Sequence, residues 1–246
     1  MASATADALR NEDVKSSLEL SDERPRRKRH ALSTRLWHWT NLVAVVILFM
    51  SGLTISNAHP RLYWGDWGFA PEHGWLEVPR FPDWATIPGY YSLAVARDWH
   101  ILAAWLFALS LLFIWVAMLA NRHFQRDIAT SRKEWRLQYI VRDIVAHLKL
   151  NFDHGEGKYN FLQKVAYGLV LGIFLPMLVF TGMAISPGMQ ATFGWLIEIL
   201  GGRQSARSLH FIFSFATFGF FIVHVALVIL AGPYRQIRSM ITGGRL

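Results

Sequence analysis

Apolar and polar positions in this chain fall into long separate blocks. Leu36 to Ser56 and Ile101 to Ala120 contain no Asp, Glu, Lys or Arg, and neither do Val165 to Ile185 and Ser208 to Gly232. A helix needs about 20 apolar residues to cross a bilayer. The blocks therefore predict four membrane spans, at about 36–56, 101–120, 165–185 and 208–232. Pro176 is expected to bend the third span, which neighbouring helices in a membrane accommodate. Gly232-Pro233 is expected to end the fourth. Between the second and third, Leu137, Ile140, Val141, Ile144, Val145 and Leu148 recur at helical spacing, with Arg136, Arg142 and Lys149 elsewhere on the turn. That pattern predicts an amphipathic helix over about 135–152, lying in the membrane interface. The expected fold is an all-α integral membrane bundle of four helices over residues 30–232, with tails at 1–29 and 233–246. Residues 1–29 mix acids, bases and small residues without an apolar run, which predicts a disordered tail rather than a signal peptide.

Composition fits a membrane location. The 246 residues are 53% hydrophobic and 17% charged, less charge than soluble domains usually carry. The net charge of +8 does not point to nucleic acid, because the basic residues flank the apolar blocks instead of forming one patch. Eight Lys and Arg lie in the arm through Arg35, eight in 121–160 and three after Gly232, against two each in 57–96 and 186–207. By the positive-inside rule, both termini are expected in the cytoplasm and the sparse loops in the periplasm, across a bacterial inner membrane. The loop 57–96 carries Trp64, Trp67, Trp75 and Trp84, which reads as an aromatic interfacial lid or a docking surface. A short echo relates the two halves. The first span exits as Ser51-Gly52-Leu53-Thr54-Ile55-Ser56 and the third as Thr181-Gly182-Met183-Ala184-Ile185-Ser186.

The chain has no cysteine, which removes disulfides, thiolate zinc sites, iron–sulfur clusters and covalent c-type haem. Of its ten histidines, His38, His100, His210 and His224 fall within or at the ends of the spans. Ionisable residues there are costly and usually functional. His210 and His224 are fourteen residues apart. That is just under four turns, so they share one face, about 21 Å apart along the axis. In an antiparallel bundle His210 is level with His100, and His224 with His38. Two facing pairs at two depths suit bis-imidazole ligation of two haem irons. Two histidines alone make a poor zinc site, which takes about four ligands.

Gly52, also fourteen residues from His38, and Ser214 and Thr217, between the two histidines of the fourth span, are small residues that leave room for flat macrocycles. The same residues would equally bring helices together. Arg35, Arg97 and Arg207 each stand three positions before one of the histidines. They share its face and are candidates to pair with haem propionates. The positive-inside tendency accounts equally well for Arg35, whereas Arg97 and Arg207 sit on the side that otherwise avoids cations. His30, His59, His73, His123, His147 and His154 read as solvated or interfacial, although any of them could serve a quinone as proton acceptor.

Arg35-Leu36-Trp37-His38-Trp39, Arg97-Asp98-Trp99-His100 and Gly201-Gly202-Arg203-Gln204-Ser205-Ala206-Arg207-Ser208-Leu209-His210 resemble the bacterial cytochrome b561/Ni-hydrogenase cytochrome b family. That family includes membrane subunits of hydrogenases, formate dehydrogenases and thiosulfate reductases. The similarity runs from about His30 to Gly232. It implies a bundle with two haem b, passing electrons between the quinone/quinol pool and a catalytic oxidoreductase that is often periplasmic. It implies His38 and His224 on the inner haem iron, and His100 and His210 on the outer one. The long inner loop and the Gly201 to Arg207 segment look more like members that accompany molybdopterin oxidoreductases than like those of hydrogenases. In formate dehydrogenase members the quinone site lies near the inner haem. The residues alone also accommodate a stand-alone quinol oxidase that needs no partner. A small transporter or proton channel fits less well, since the spans lack the acids and broken helices of transport sites.

Overall fold

Four helices in the computed structural model are long and apolar enough to cross a membrane: Leu32–Ala58, Leu93–Ala120, Phe161–Ile185 and Arg203–Leu230, here spans 1 to 4. The structure describes residues 30–66, 70–122, 124–148 and 160–244. The expected tail 1–29 therefore lies outside the described residues, as do His123, His154 and Trp67. Every span begins before its uncharged block, because the helical ladder continues through the charged turns that flank it. Span 2, for example, takes in Arg97 and Asp98. The amphipathic surface helix covers Leu137–Leu148.

Span 3 is composite. It opens at Asn160, whose side chain accepts from the Gln163 N–H in a capping box, runs to Leu169, widens into a π turn over Val170–Phe174 and resumes as Leu175–Ile185. Proline has no N–H and its ring crowds the carbonyl four residues back, so a π turn just before Pro176 relieves both problems. The Leu175 N–H bonds to Val170 O, which leaves the Leu171 carbonyl to accept from Trp115 Nε1 of span 2 at 3.2 Å. Neighbouring helices commonly satisfy backbone groups freed in this way.

Span 4 ends at Leu230, and Gly232 follows at φ 91°. The segment expected as a tail, 233–246, holds a helix, Pro233–Thr242, with proline in its first turn and Gly243 at φ 99° beyond its end. A Gly-Pro step ends one helix and can open the next, because proline suits a first helical turn. This last helix returns to the start of span 1. The His30 N–H donates to Gly243 O at 2.9 Å, and Arg35 donates to the carbonyls of Met240 and Ile241. This is the terminal end of the bundle.

Spans 1 and 2 pack as one hairpin, and spans 3 and 4 as another. Ala44, Phe107, Leu111, Ile114, Val170 and Leu175 form a core that joins spans 1, 2 and 3. Phe49 of span 1 stacks on Phe218 of span 4, with ring centres 4.1 Å apart. Leu102, Leu109, Leu112 and Val116 stay exposed, an apolar surface suited to lipid.

At the far end, β1 (Arg61–Leu62) pairs antiparallel with β2 (Leu76–Glu77). The loop they tie docks on the first turns of span 4. Gly65 N donates to Ser205 Oγ at 2.7 Å, Gln204 N to Gly65 O at 3.1 Å, and Arg203 N to Asp66 Oδ1 at 3.2 Å. The unpaired N–H groups of a helix start are thereby satisfied. Trp64 and Trp75 stack on each other, and Trp75 Nε1 donates to Ser208 Oγ at 3.0 Å. Those two tryptophans anchor the loop to span 4, while Trp84, beyond β2, is 84% exposed.

Candidate haem-binding sites

The four span histidines come together in two pairs, each with one member from either hairpin. His38 lies early in span 1 and His224 near the close of span 4, with ring centres 6.3 Å apart and planes at 60°. His100 lies early in span 2 and His210 early in span 4, at 6.2 Å and 63°. Two imidazoles bonded from opposite sides to one metal ion put their ring centres roughly 6 Å apart, given a metal–nitrogen bond of about 2.0 Å. Among the described residues no group of three or more His, Asp or Glu could hold a metal ion. Each pair could offer two imidazole nitrogens to one metal ion and nothing more, a donor set that fits a non-covalently bound haem.

The far-end pair has a supporting shell that repeats between the hairpins. Ser51 Oγ lies 3.0 Å from His100 Nδ1, and Thr181 Oγ1 lies 2.9 Å from His210 Nδ1. A Cβ at Gly52 would stand 3.5 Å from His100 Cε1, and one at Gly182 would stand 3.5 Å from His210 Cε1. The echo Ser51-Gly52 and Thr181-Gly182 is therefore a hydroxyl and a gap presented to the imidazole of the next span. Gly52, expected from its spacing to pack a haem, lies against the ring of a histidine. Ser51, Thr181 and Gly182 carry the same arrangement, and the echo was the only sequence signal for them.

The terminal-end pair is held differently. His38 meets Trp39 edge to face with ring centres 5.2 Å apart, and Phe220 stacks on His224 at 5.9 Å. Trp37 Nε1, His38 Nδ1 and Asn41 Oδ1 are buried without a hydrogen-bond partner, and so is Thr217 Oγ1. Buried polar atoms are rarely left so, and the anionic edge of a bound cofactor could accept from Trp37 Nε1. Ser214 bonds its own helix, donating to His210 O at 2.7 Å.

Two of the three candidate arginines are engaged with backbone. Arg35 holds the carbonyls of the last helix, and Arg207 holds the carbonyls of His59 and Arg61. Arg97 is exposed at the far end. His59 lies just past span 1, where burial first, and then the Arg207 and Arg97 charges, hold its imidazole below the ordinary 6.5. Arg207, His59 and Arg61 also line a cavity of about 140 Å³. His73 sits in the loop 3.9 Å from Glu72, and His147 belongs to the surface helix.

The sequence profile described as prokaryotic cytochrome b561 matches residues 29–243. The chain is 33% identical over 211 residues to a putative protein-methionine-sulfoxide reductase subunit, YedZ1, of Azospira oryzae, covering 85% of this chain and 93% of that protein. It is 25% identical over 231 residues to a probable Ni/Fe-hydrogenase B-type cytochrome subunit of Cupriavidus necator, covering 86% and 83%. No solved structure matches. Since the profile takes in all four spans and both histidine pairs, the chain belongs to the prokaryotic cytochrome b561 family.

Proposed function

We propose that this multi-pass membrane protein holds two haem b in series across the bacterial inner membrane. It relays electrons between the quinone/quinol pool and a partner oxidoreductase. Family membership implies b-type haem. The observation that carries the rest is the pair of imidazole–imidazole separations, 6.3 and 6.2 Å, at two levels of one bundle. The charge asymmetry favours a cytoplasmic terminal end. His38 and His224 then ligate the inner haem, and His100 and His210 the outer one. Two levels about 21 Å apart form a relay where one haem would leave much of the bilayer uncrossed.

Bound haem supplies reversible one-electron chemistry, and the protein supplies ligation, orientation and a dry surround. The four histidines offer imidazole nitrogen. Gly52 and Gly182 keep the outer rings clear of side chains, and Ser214 and Thr217 keep span 4 slim between the levels. Arg97 and Arg207 are the candidates to pair with the propionates of the outer haem, and Arg35 with those of the inner one. Both relatives named above are subunits of larger enzymes, which supports a catalytic partner. We place that partner in the periplasm and, from the Gly201 to Arg207 segment, in the molybdopterin class.

Purified protein should show a b-type spectrum with two haems per chain. His224→Ala should remove the inner haem alone and His100→Ala the outer alone. A colourless preparation from haem-replete cells refutes the reading, and so does haem loss that tracks His73 or His147. Purification in mild detergent should bring a molybdenum-containing subunit along. Recovery of an active quinol oxidase without any partner would favour the stand-alone reading.

A further inference from the structure

Ser51 and Thr181 are both fully buried, and each has one hydroxyl hydrogen to place. The nearest acceptor in each case is the carbonyl four residues back. Ser51 Oγ lies 2.6 Å from Ile47 O, and Thr181 Oγ1 lies 2.5 Å from Met177 O. Hydroxyls in helices commonly bond backward in this way. With its hydrogen used there, each hydroxyl oxygen faces a histidine Nδ1 as an acceptor, so Nδ1 carries the proton. That contact fixes the tautomer of each ring, with Nε2 unprotonated and available to a metal.

We propose that Ser51 and Thr181 are positioning residues for the outer haem, fixing its two axial imidazoles and lowering its midpoint potential. An imidazole whose Nδ1–H is hydrogen-bonded is a more basic ligand. A more basic ligand favours the ferric state, and hydrogen bonding around the ligands is one of the levers on haem potential. The inner pair lacks this device on the span 1 side, where His38 Nδ1 is buried without a partner. The repeated Ser-Gly and Thr-Gly steps therefore act on one haem of the two, each from its own hairpin.

The inference rests on the two-haem reading, and potentiometric titration of the purified holoprotein separates the two. Wild type should titrate as two low-spin waves, with the outer one identified by its loss in His100→Ala. Fewer than two waves in wild type sinks the two-haem reading itself. Ser51→Ala and Thr181→Val should each keep both haems and move the outer midpoint upward, leaving the inner midpoint in place. Ser51→Thr and Thr181→Ser, which keep the hydroxyl, should restore the wild-type value. An unchanged outer midpoint in Ser51→Ala and Thr181→Val, or an equal shift of both waves, overturns the proposal. If Ser51→Ala loses the outer haem, Ser51→Thr decides. Wild-type potential and haem content support the proposal, and loss of the outer haem there as well overturns it.

Discussion

Gly202→Ala should destabilise the far end of the bundle by about 3–5 kcal/mol, combining backbone strain with lost hydrogen bonds. Gly202 has φ 106° and ψ 161°, a region that is essentially glycine's alone and costs other residues about 1–3 kcal/mol. A Cβ there would stand 2.5 Å from the carbonyl carbon and oxygen of Gly65 and 2.7 Å from Asp66 Oδ1. Those atoms cannot retreat freely, because Gly65 O accepts from Gln204 N and Asp66 Oδ1 from Arg203 N. Pushing them away leaves two N–H groups at the start of span 4 unpaired, at about 1 kcal/mol or more each. Gly201 is the internal control. Its φ is +75°, but a Cβ would meet only Ser205 Oγ, at 3.7 Å, so Gly201→Ala should cost only the left-handed penalty of about 1–2 kcal/mol. Thermal melts of the two detergent-solubilised variants, followed by circular dichroism and by the haem Soret band, make the comparison. Gly202→Ala should melt lower than Gly201→Ala and release the outer haem first, since His210 sits two turns into the disturbed segment. Equal melting of the two variants, or simultaneous release of both haems, would refute the reasoning.

Valine at Gly182 should crowd the His210 ring, where even a Cβ reaches 3.5 Å. A pyridine haemochrome assay should then find about half the haem, while Gly182→Ala keeps it all; full occupancy in the valine variant contradicts this packing. Trp115→Phe removes the Trp115 Nε1 donor from the Leu171 carbonyl. It should lower stability by about 1 kcal/mol, the scale of hydrogen bonds between membrane helices, and an unchanged melting temperature would show that the π turn needs no such support. His59 should titrate below 6.5. Because folding depresses this histidine, its contribution to stability is present above the unfolded value and is lost as pH falls through the window beneath it. Arg97→Gln should raise the His59 value in a histidine NMR titration, and no upward movement would remove Arg97 as a cause.

The spans were legible because four blocks without charge leave few other structures for the chain, and their excess length was not, since charged turns carry no apolar signal. The depth relation between His210 and His224 follows from helical rise within one segment. The contacts of Ser51 and Thr181 cross from one span to the next, and no periodicity along a single helix reports them. Their echo was visible as sequence, but its meaning needed the hairpin geometry. The seating of Gly65 and Asp66 against Gly202 joins positions far apart in the chain, and no local pattern announces it. The last helix was hidden by a stop signal that is also a start signal. The Trp64 and Trp75 pair was readable only as composition until the loop was seen to fold onto Ser208.

The π turn of span 3 also sets the angular phase of everything beyond it. Successive residues of an α-helix are turned by about 100°, and the wide turn absorbs one residue more than a regular helix would. Thr181 is fully buried while its neighbour Phe180 is 47% exposed, so one step of rotation separates the side facing His210 from the side facing lipid. Span 3 has none of the four span histidines, yet its wide turn acts as an indexing notch that aims Thr181 and Gly182 at one of them. Shortening the turn by a single residue would leave a helix of almost the same length whose useful face points elsewhere.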